Sequence, residues 1–125
     1  MQVESSVIFF PVSDIAKTLK FYVDLLGLKI HQVQGNGSCV LLDTGYGYLG
    51  FCQYDDGRPM PTGVYSPCIS FNCENEAAVD LLFSALKNAG VPVLQEPAHH
   101  AKFPVYSAFV SDPDGYKVEL QKILE

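Results

Sequence analysis

The chain is 125 residues long, 48% apolar and 18% charged, which suits one folded domain with a real core and not a disordered segment. Its formal charge of −6, from 14 acidic and 8 basic side chains with no Lys/Arg cluster, argues against a phosphate-neutralising nucleic-acid surface. No apolar run approaches the ~20 residues that span a bilayer, and the first residues lack the basic-then-apolar layout of a signal peptide; a cytoplasmic setting without membrane contact is expected.

In chain order, residues 7–12 read as a strand with Ile8, Phe10 and Val12 toward a helix and Val7 and Phe9 on the other face. Ser13 or Asp14 then suits the N-cap of a helix striped by Ile15, Leu19, Tyr22 and Leu26, and Gly27 fits the left-handed position past its end. Residues 28–33 form the next strand. Two more, at 38–42 and 46–54, flank the turn signal Asp43-Thr44-Gly45. In the second of these, Leu49 and Phe51 form the packed face and Tyr48, Gly50, Cys52 and Tyr54 the opposite one.

The Gly/Pro-rich run Asp55-Asp56-Gly57-Arg58-Pro59-Met60-Pro61-Thr62-Gly63 reads as a linker. Beyond it the order repeats. A strand at 68–73 packs Ile69 and Phe71 and turns Cys68, Ser70 and Asn72 away. Asn75 caps a helix striped by Ala78, Leu82, Ala85, Leu86 and Ala89 and closed by Gly90. Strands follow at 91–95, 106–110 and 116–121. Gly27 and Gly90 stand half a chain length apart, so the chain reads as a duplicated strand–helix–three-strand unit. The expected architecture is α+β with the helices on one face of each sheet: a first βαβββ module at 1–55, a linker at 56–65 and a second module at 66–125, together one domain.

The last hairpin carries the most chemical information. Asp112, Pro113 and Gly115 occupy the first, second and fourth places of a type I turn. Apolar Tyr116, Val118 and Leu120 then alternate with polar Lys117, Glu119 and Gln121, which sets the Glu119 carboxylate on the face away from the core. A type I turn with Gly in fourth place commonly continues into a bulge, and that register brings Ser107 and Phe109 to the side of Glu119, whereas a one-residue slip would bring Tyr106 and Ala108 there instead. Few cations are expected within its reach. Cys39, Cys52, Cys68 and Cys73 form no C-x-x-C pair and lie in apolar strand-like runs, so they are expected to stay reduced as small apolar fillers.

Val12-Ser13-Asp14-Ile15, Phe21-Tyr22, Leu25-Leu26-Gly27-Leu28 and, at the end, Asp112-Pro113-Asp114-Gly115-Tyr116 with Glu119-Leu120 together resemble the vicinal oxygen chelate superfamily. That superfamily includes glyoxalase I, bleomycin-resistance proteins, fosfomycin-resistance enzymes and extradiol dioxygenases. The resemblance runs over nearly the whole chain. It implies two βαβββ modules forming a cupped mixed sheet around a cavity, within a homodimer. At the positions where metal-dependent members carry ligands it places Val7, Gly50, Cys68 and Glu119, of which only Glu119 is a ligand type those members use. Val7 and Gly50 have no side-chain donor, and one carboxylate does not hold a hard divalent ion, so no metal and no other cofactor is expected. A rearranged zinc set would have to draw on Cys52, Cys68, Glu119 and one of His99 or His100.

The expected partner is a small organic molecule. Phe9, Tyr48, Tyr54 and Phe109 would supply aromatic walls, and Cys52, Cys68, Ser70, Ser107 and Glu119 the polar anchors. The loop at 97–104 would bring His99 and His100 over the mouth, where an imidazole can contact ligand. Aromatic walls and a negative chain favour a cationic ligand. Two other readings stand beside this one. The first is a lyase, isomerase or dioxygenase with a rearranged metal or with Glu119 as general base; the second is a structural or interaction protein whose cavity is vestigial.

Overall fold

In the computed structural model, which describes residues 2–63 and 66–124, each half of the chain folds as strand, helix and three strands. The first unit, Met1–Pro61, contains β1 (Val7–Pro11), α1 (Ile15–Leu19), β2 (Lys29–Gln34), β3 (Cys39–Asp43) and β4 (Tyr48–Cys52). The second, Thr62–Glu125, contains β5 (Cys68–Asn72), α2 (Glu76–Asn88), β6 (Val93–His99), β7 (Val105–Ser111) and β8 (Lys117–Ile123). Val64 and Tyr65, part of the linker expected at 56–65, lie outside the described residues. The sheets run β1-β4-β3-β2 and β5-β8-β7-β6, with one parallel pair in each (β1 with β4, β5 with β8) and antiparallel neighbours elsewhere. This is the duplicated α+β pattern that the sequence predicts. Among the described residues, no helix is long and apolar enough to cross a membrane.

The caps fall where polar side chains satisfy free helix N–H groups. Asp14 Oδ1 accepts from the N–H of Ala16 at 3.0 Å, and Asn75 Oδ1 from that of Ala78 at 2.8 Å. Gly27 (φ +84) and Gly90 (φ +87) close the helices in the left-handed region. The buried stripes differ from expectation. α1 runs on through a π-helical stretch, Lys20–Leu25, and buries Thr18, Phe21 and Tyr22; that wider turn carries Phe21 inward beside Tyr22. In α2 the buried residues are Val79, Phe83 and Leu86, while Ala85 and Ala89 stay exposed. Two apolar stripes lie side by side on that helix, and the one with Val79 and Phe83 removes more apolar area from water.

Aromatic stacking centres the first core. Phe51 lies 4.5 Å from the Tyr22 ring and 5.8 Å from Phe10. Phe10 is buried, but Ile8, expected on the same packed face, is 59% exposed. The second core gathers Ile69, Ala108, Val110, Val118 and Leu120 from the sheet under Val79, Phe83 and Leu86. Each large side chain buried in this way contributes about 1.5–3 kcal/mol. The opposite face of the second sheet therefore receives the alternate residues, Ser70, Ser107, Phe109 and Glu119.

The cysteine expectation is overturned in the first unit. Cys39 and Cys52 face each other in the β3–β4 register with Cα atoms 4.1 Å apart, and their sulfurs form a disulfide. Cys68 and Cys73 are free thiols. The last strand before the final hairpin also differs: it runs over Val93–His99, so His99 belongs to β6 and not to a loop.

Candidate functional site

Glu119 owes its place to the turn before it. Asp112 O accepts from Gly115 N–H at 3.0 Å, closing the type I turn, and Gly115 takes φ +93 as the bulge requires. Asp112 Oδ1 accepts from the N–H groups of Asp114 at 2.9 Å and Tyr116 at 2.8 Å, which pins the start of β8. Tyr116 is fully buried, and that burial, with Asp114 and Asp112 close by, pushes its phenol upward. With the turn held, Phe109 pairs with Glu119 and Ser107 with Gln121 across β7–β8, while Ser70 pairs with Glu119 across β5–β8.

Glu119 opens into a hollow of about 380 Å³ on this face of the second unit. Cys68 and Ser70 line it from β5, Lys117, Glu119 and Gln121 from β8, and Val105 and Phe109 from β7. His100 and Phe103, between β6 and β7, complete the lining. Ser70 Oγ donates to Glu119 Oε1 at 2.6 Å, and Cys68 Sγ lies 3.6 Å from Ser70 Oγ. Thiol, hydroxyl and carboxylate thus form a chain. His100 Nδ1 accepts from the N–H groups of Lys102 and Phe103 at 2.9 and 3.0 Å, which fixes the imidazole beside Phe103. Ser107 shares the face but is 1% exposed, and its hydroxyl has no hydrogen-bond partner among the described residues.

Of the expected site residues, Cys68, Ser70, His100, Phe109 and Glu119 come together here. His99 does not. It pairs with Tyr106 on the helix side of β6, lies tilted against that ring at 4.8 Å, and meets Glu76 Oε2 at 3.2 Å. Strand alternation separates the two histidines: once β6 extends to His99, neighbouring side chains take opposite faces. Tyr106 in turn donates to Asp80 Oδ1 at 2.6 Å, and that hydrogen bond, with some burial, pushes its phenol up to about 12. One cation does come near Glu119: Lys117 lines the same hollow with its Nζ 4.3 Å above the Phe109 ring. The same alternation that exposes Glu119 also exposes Lys117 and Gln121; nothing in the sequence singled out Phe103 or Val105.

The remaining expected residues belong to the first unit. Phe9 is 47% exposed, and its ring covers Gly50 so closely that a Cβ there would lie 2.4 Å from Phe9 Cδ1. Tyr48 is half-buried with the His31 ring 4.4 Å away. Tyr54 has the Arg58 guanidinium 3.6 Å above its ring, and Arg58 also pairs with Asp56, holding that carboxyl down to about 2. Cys52 is 1% exposed and disulfide-bonded, so it offers no thiolate to a ligand or a metal.

These donors do not fit a divalent ion. In the first unit Val7 brings no donor atom, and the space at Gly50 is filled by the Phe9 ring. In the second, Glu119 is hydrogen-bonded to Ser70, and among the described residues no three His, Cys, Asp or Glu side chains gather. The rearranged zinc set loses Cys52, which is bonded to Cys39; of its two alternative histidines, His99 faces the helix and His100 lines the hollow with Cys68 and Glu119.

Comparison with known proteins adds a consistent picture. The sequence model of the Glyoxalase/Bleomycin resistance protein/Dioxygenase superfamily matches residues 6–120. A protein of Synechocystis sp. named "Probable lactoylglutathione lyase" is 28% identical over 129 residues, covering 87% of each chain. Among solved structures, a glyoxalase/bleomycin resistance protein/dioxygenase family enzyme from Burkholderia phytofirmans superposes with TM-score 0.81 at 20% identity, covering 95% of this chain and 98% of that one. Lactoylglutathione lyase from Agrobacterium tumefaciens superposes with TM-score 0.71 at 20% identity, covering 96% and 92%. At those identities the two structures speak for the fold alone.

Proposed function

We propose that this chain, which belongs to the Glyoxalase/Bleomycin resistance protein/Dioxygenase superfamily, binds a small organic molecule in the hollow of its second unit, without the metal of the metal-dependent members. One observation carries the reading. Glu119 stands at a hollow with Val105, Phe103 and Phe109 on its walls and is held, among the described residues, by a single neutral donor, Ser70 at 2.6 Å. A carboxylate placed so, among apolar walls, anchors an amine, hydroxyl or amide of a ligand. Glu119→Gln keeps the shape and removes the charge, so it weakens binding of an amine-bearing ligand by about 1.5–3 kcal/mol and leaves the fold intact. Calorimetric titration of both proteins, with elemental analysis of the same samples, is the test. Unchanged affinity, or stoichiometric metal that disappears in Glu119→Gln, overturns the reading.

A second reading takes its support from the 28% identical relative and its printed name. Here the chain is a lyase or isomerase in which Glu119 removes a proton from a bound substrate. Turnover that survives exhaustive chelation and is lost in Glu119→Gln favours it. We also propose a homodimer. β1 is an edge strand with Ile8 59% and Phe9 47% exposed, and a second copy is the simplest cover for such an edge.

A further inference from the structure

We infer that the hollow of the second unit selects ligands that carry both an anionic oxygen group and an amine or hydroxyl donor on an apolar body, the chemistry of an aromatic amino acid. The inference rests on the binding role proposed above and narrows it from any amine-bearing molecule to a doubly anchored one.

Lys117 and Glu119 stand two residues apart on one face of β8, opposite Cys68 and Ser70 of β5, and both line the hollow. The ion pairs among the described residues are Arg58–Asp56, Lys87–Glu96 and His99–Glu76; none joins Lys117 to Glu119. Two opposite charges therefore share one hollow without forming an ion pair with each other. A ligand bearing only a cation leaves the Lys117 ammonium facing like charge, and one bearing only an anion does the same to Glu119. A ligand with both groups meets both charges.

Two further groups at or beside the hollow, His100 and Ser107, can donate, which gives the anionic end more support than Lys117 alone. His100 Nδ1 accepts two backbone N–H groups, so it holds no proton, and the neutral ring carries its hydrogen on Nε2 as a donor. Ser107 lies between Val105 and Phe109 on the same strand face and pairs with Gln121, and all three of those neighbours line the hollow. Its buried hydroxyl lacks a partner among the described residues, an arrangement that is costly until an acceptor reaches it. Phe103, Val105 and Phe109 supply the apolar wall for the ligand body.

Calorimetric titration of the full chain at neutral pH and low salt with L-phenylalanine, phenethylamine and hydrocinnamate tests this, since the last two each lack one of the charges. L-Phenylalanine is expected to bind roughly tenfold or more tighter than either analogue. Lys117→Met should bring L-phenylalanine down to the level of phenethylamine without weakening phenethylamine itself. Glu119→Gln should bring it down to the level of hydrocinnamate. Unchanged far-UV circular dichroism of both variants keeps the comparison one of binding and not of folding. If phenethylamine binds wild type as tightly as L-phenylalanine and loses affinity in Glu119→Gln, the double-anchor inference is overturned and the binding role stands. If hydrocinnamate matches L-phenylalanine, the inference falls as well. If none of the three binds, or all bind equally to wild type and Glu119→Gln, both readings fall together.

Discussion

Removing the Asp112 side chain should loosen the second unit and displace Glu119 in a single step. Asp112 is 4% exposed, and its Oδ1 accepts from Asp114 N–H at 2.9 Å and Tyr116 N–H at 2.8 Å. In Asp112→Ala both amides lose that acceptor. The one at Tyr116 is buried and bears the full desolvation cost, about 1–3 kcal/mol, while the partly exposed one at Asp114 recovers water and loses about 1 kcal/mol. The sum is about 2–4 kcal/mol, which at a urea slope of about 1.5 kcal/mol per molar lowers the unfolding midpoint by roughly 1.3–2.7 M. Asp112→Asn retains an acceptor oxygen in the same place and should cost about 1 kcal/mol or less. Urea unfolding followed by circular dichroism reads both numbers, provided the slope is unchanged. A loss under about 0.5 kcal/mol in the alanine variant refutes the reasoning. So does an asparagine variant as unstable as the alanine one, since charge and not the acceptor would then hold the turn.

Thiol titration of the unfolded protein without reductant should count two of the four cysteines and all four after reduction; four at the outset would disprove the Cys39–Cys52 bond. Across a sequence separation of 13 residues the bond should stabilise the first unit by about 3 kcal/mol, so reductant lowers its melting temperature. The Tyr106 phenol is raised from 10 to about 12, mainly by its bond to Asp80. The native state thus holds this proton more tightly than the unfolded chain, and the stability it contributes is full below pH 10 and is lost as pH rises toward 12. Tyr106→Phe should remove that alkaline loss together with one late ionisation in an absorbance titration; an unchanged titration curve counts against the hydrogen bond. Light scattering should return about twice the 13.7 kDa chain mass at micromolar concentration, and a stable monomer would remove the proposed β1 contact.

The elements that could be read from the sequence are those with local chemistry. Asp14, Asn75, Gly27 and Gly90 mark the helix ends through backbone groups within a few residues, so caps and stops appear in the sequence as they do in the fold. The helix faces were harder, because two apolar stripes run side by side on α2 and only the sheet beneath decides between Ala85 and Phe83. The π-helical stretch at Lys20–Leu25 has no composition of its own, so the inward turn of Phe21 follows from packing alone. The disulfide lies between these cases. The Asp43–Tyr48 pair that closes the β3–β4 hairpin sets a register in which Cys39 must face Cys52, yet that register is settled only once the ends of the turn are known.

For the site, alternation was a sound guide wherever a turn fixed its phase. Asp112-Pro113-Asp114-Gly115 sets β8 against β7, and Ser107, Phe109 and Glu119 share a face, the bulge register and not the one-residue slip that would put Tyr106 and Ala108 there. The same phase exposes Lys117 beside Glu119, so an acidic overall balance says little about the charge within this one hollow. The two histidines show the opposite case. No turn marks where β6 ends, and its ladder slips twice, between Val93 and Gln95 and between Gln95 and Ala98. Each slip changes which side chains face the helix. A pair read as one loop feature is thereby divided: His99 goes to Glu76 and Tyr106 on the helix side, and His100 goes to the hollow, with its Nδ1 already occupied by backbone. An imidazole committed in that way can donate to a ligand from Nε2 but has no nitrogen left to bind a metal without first breaking two hydrogen bonds. That is a second reason, independent of Val7 and Gly50, why the residues of this hollow suit hydrogen bonds and charge better than coordination.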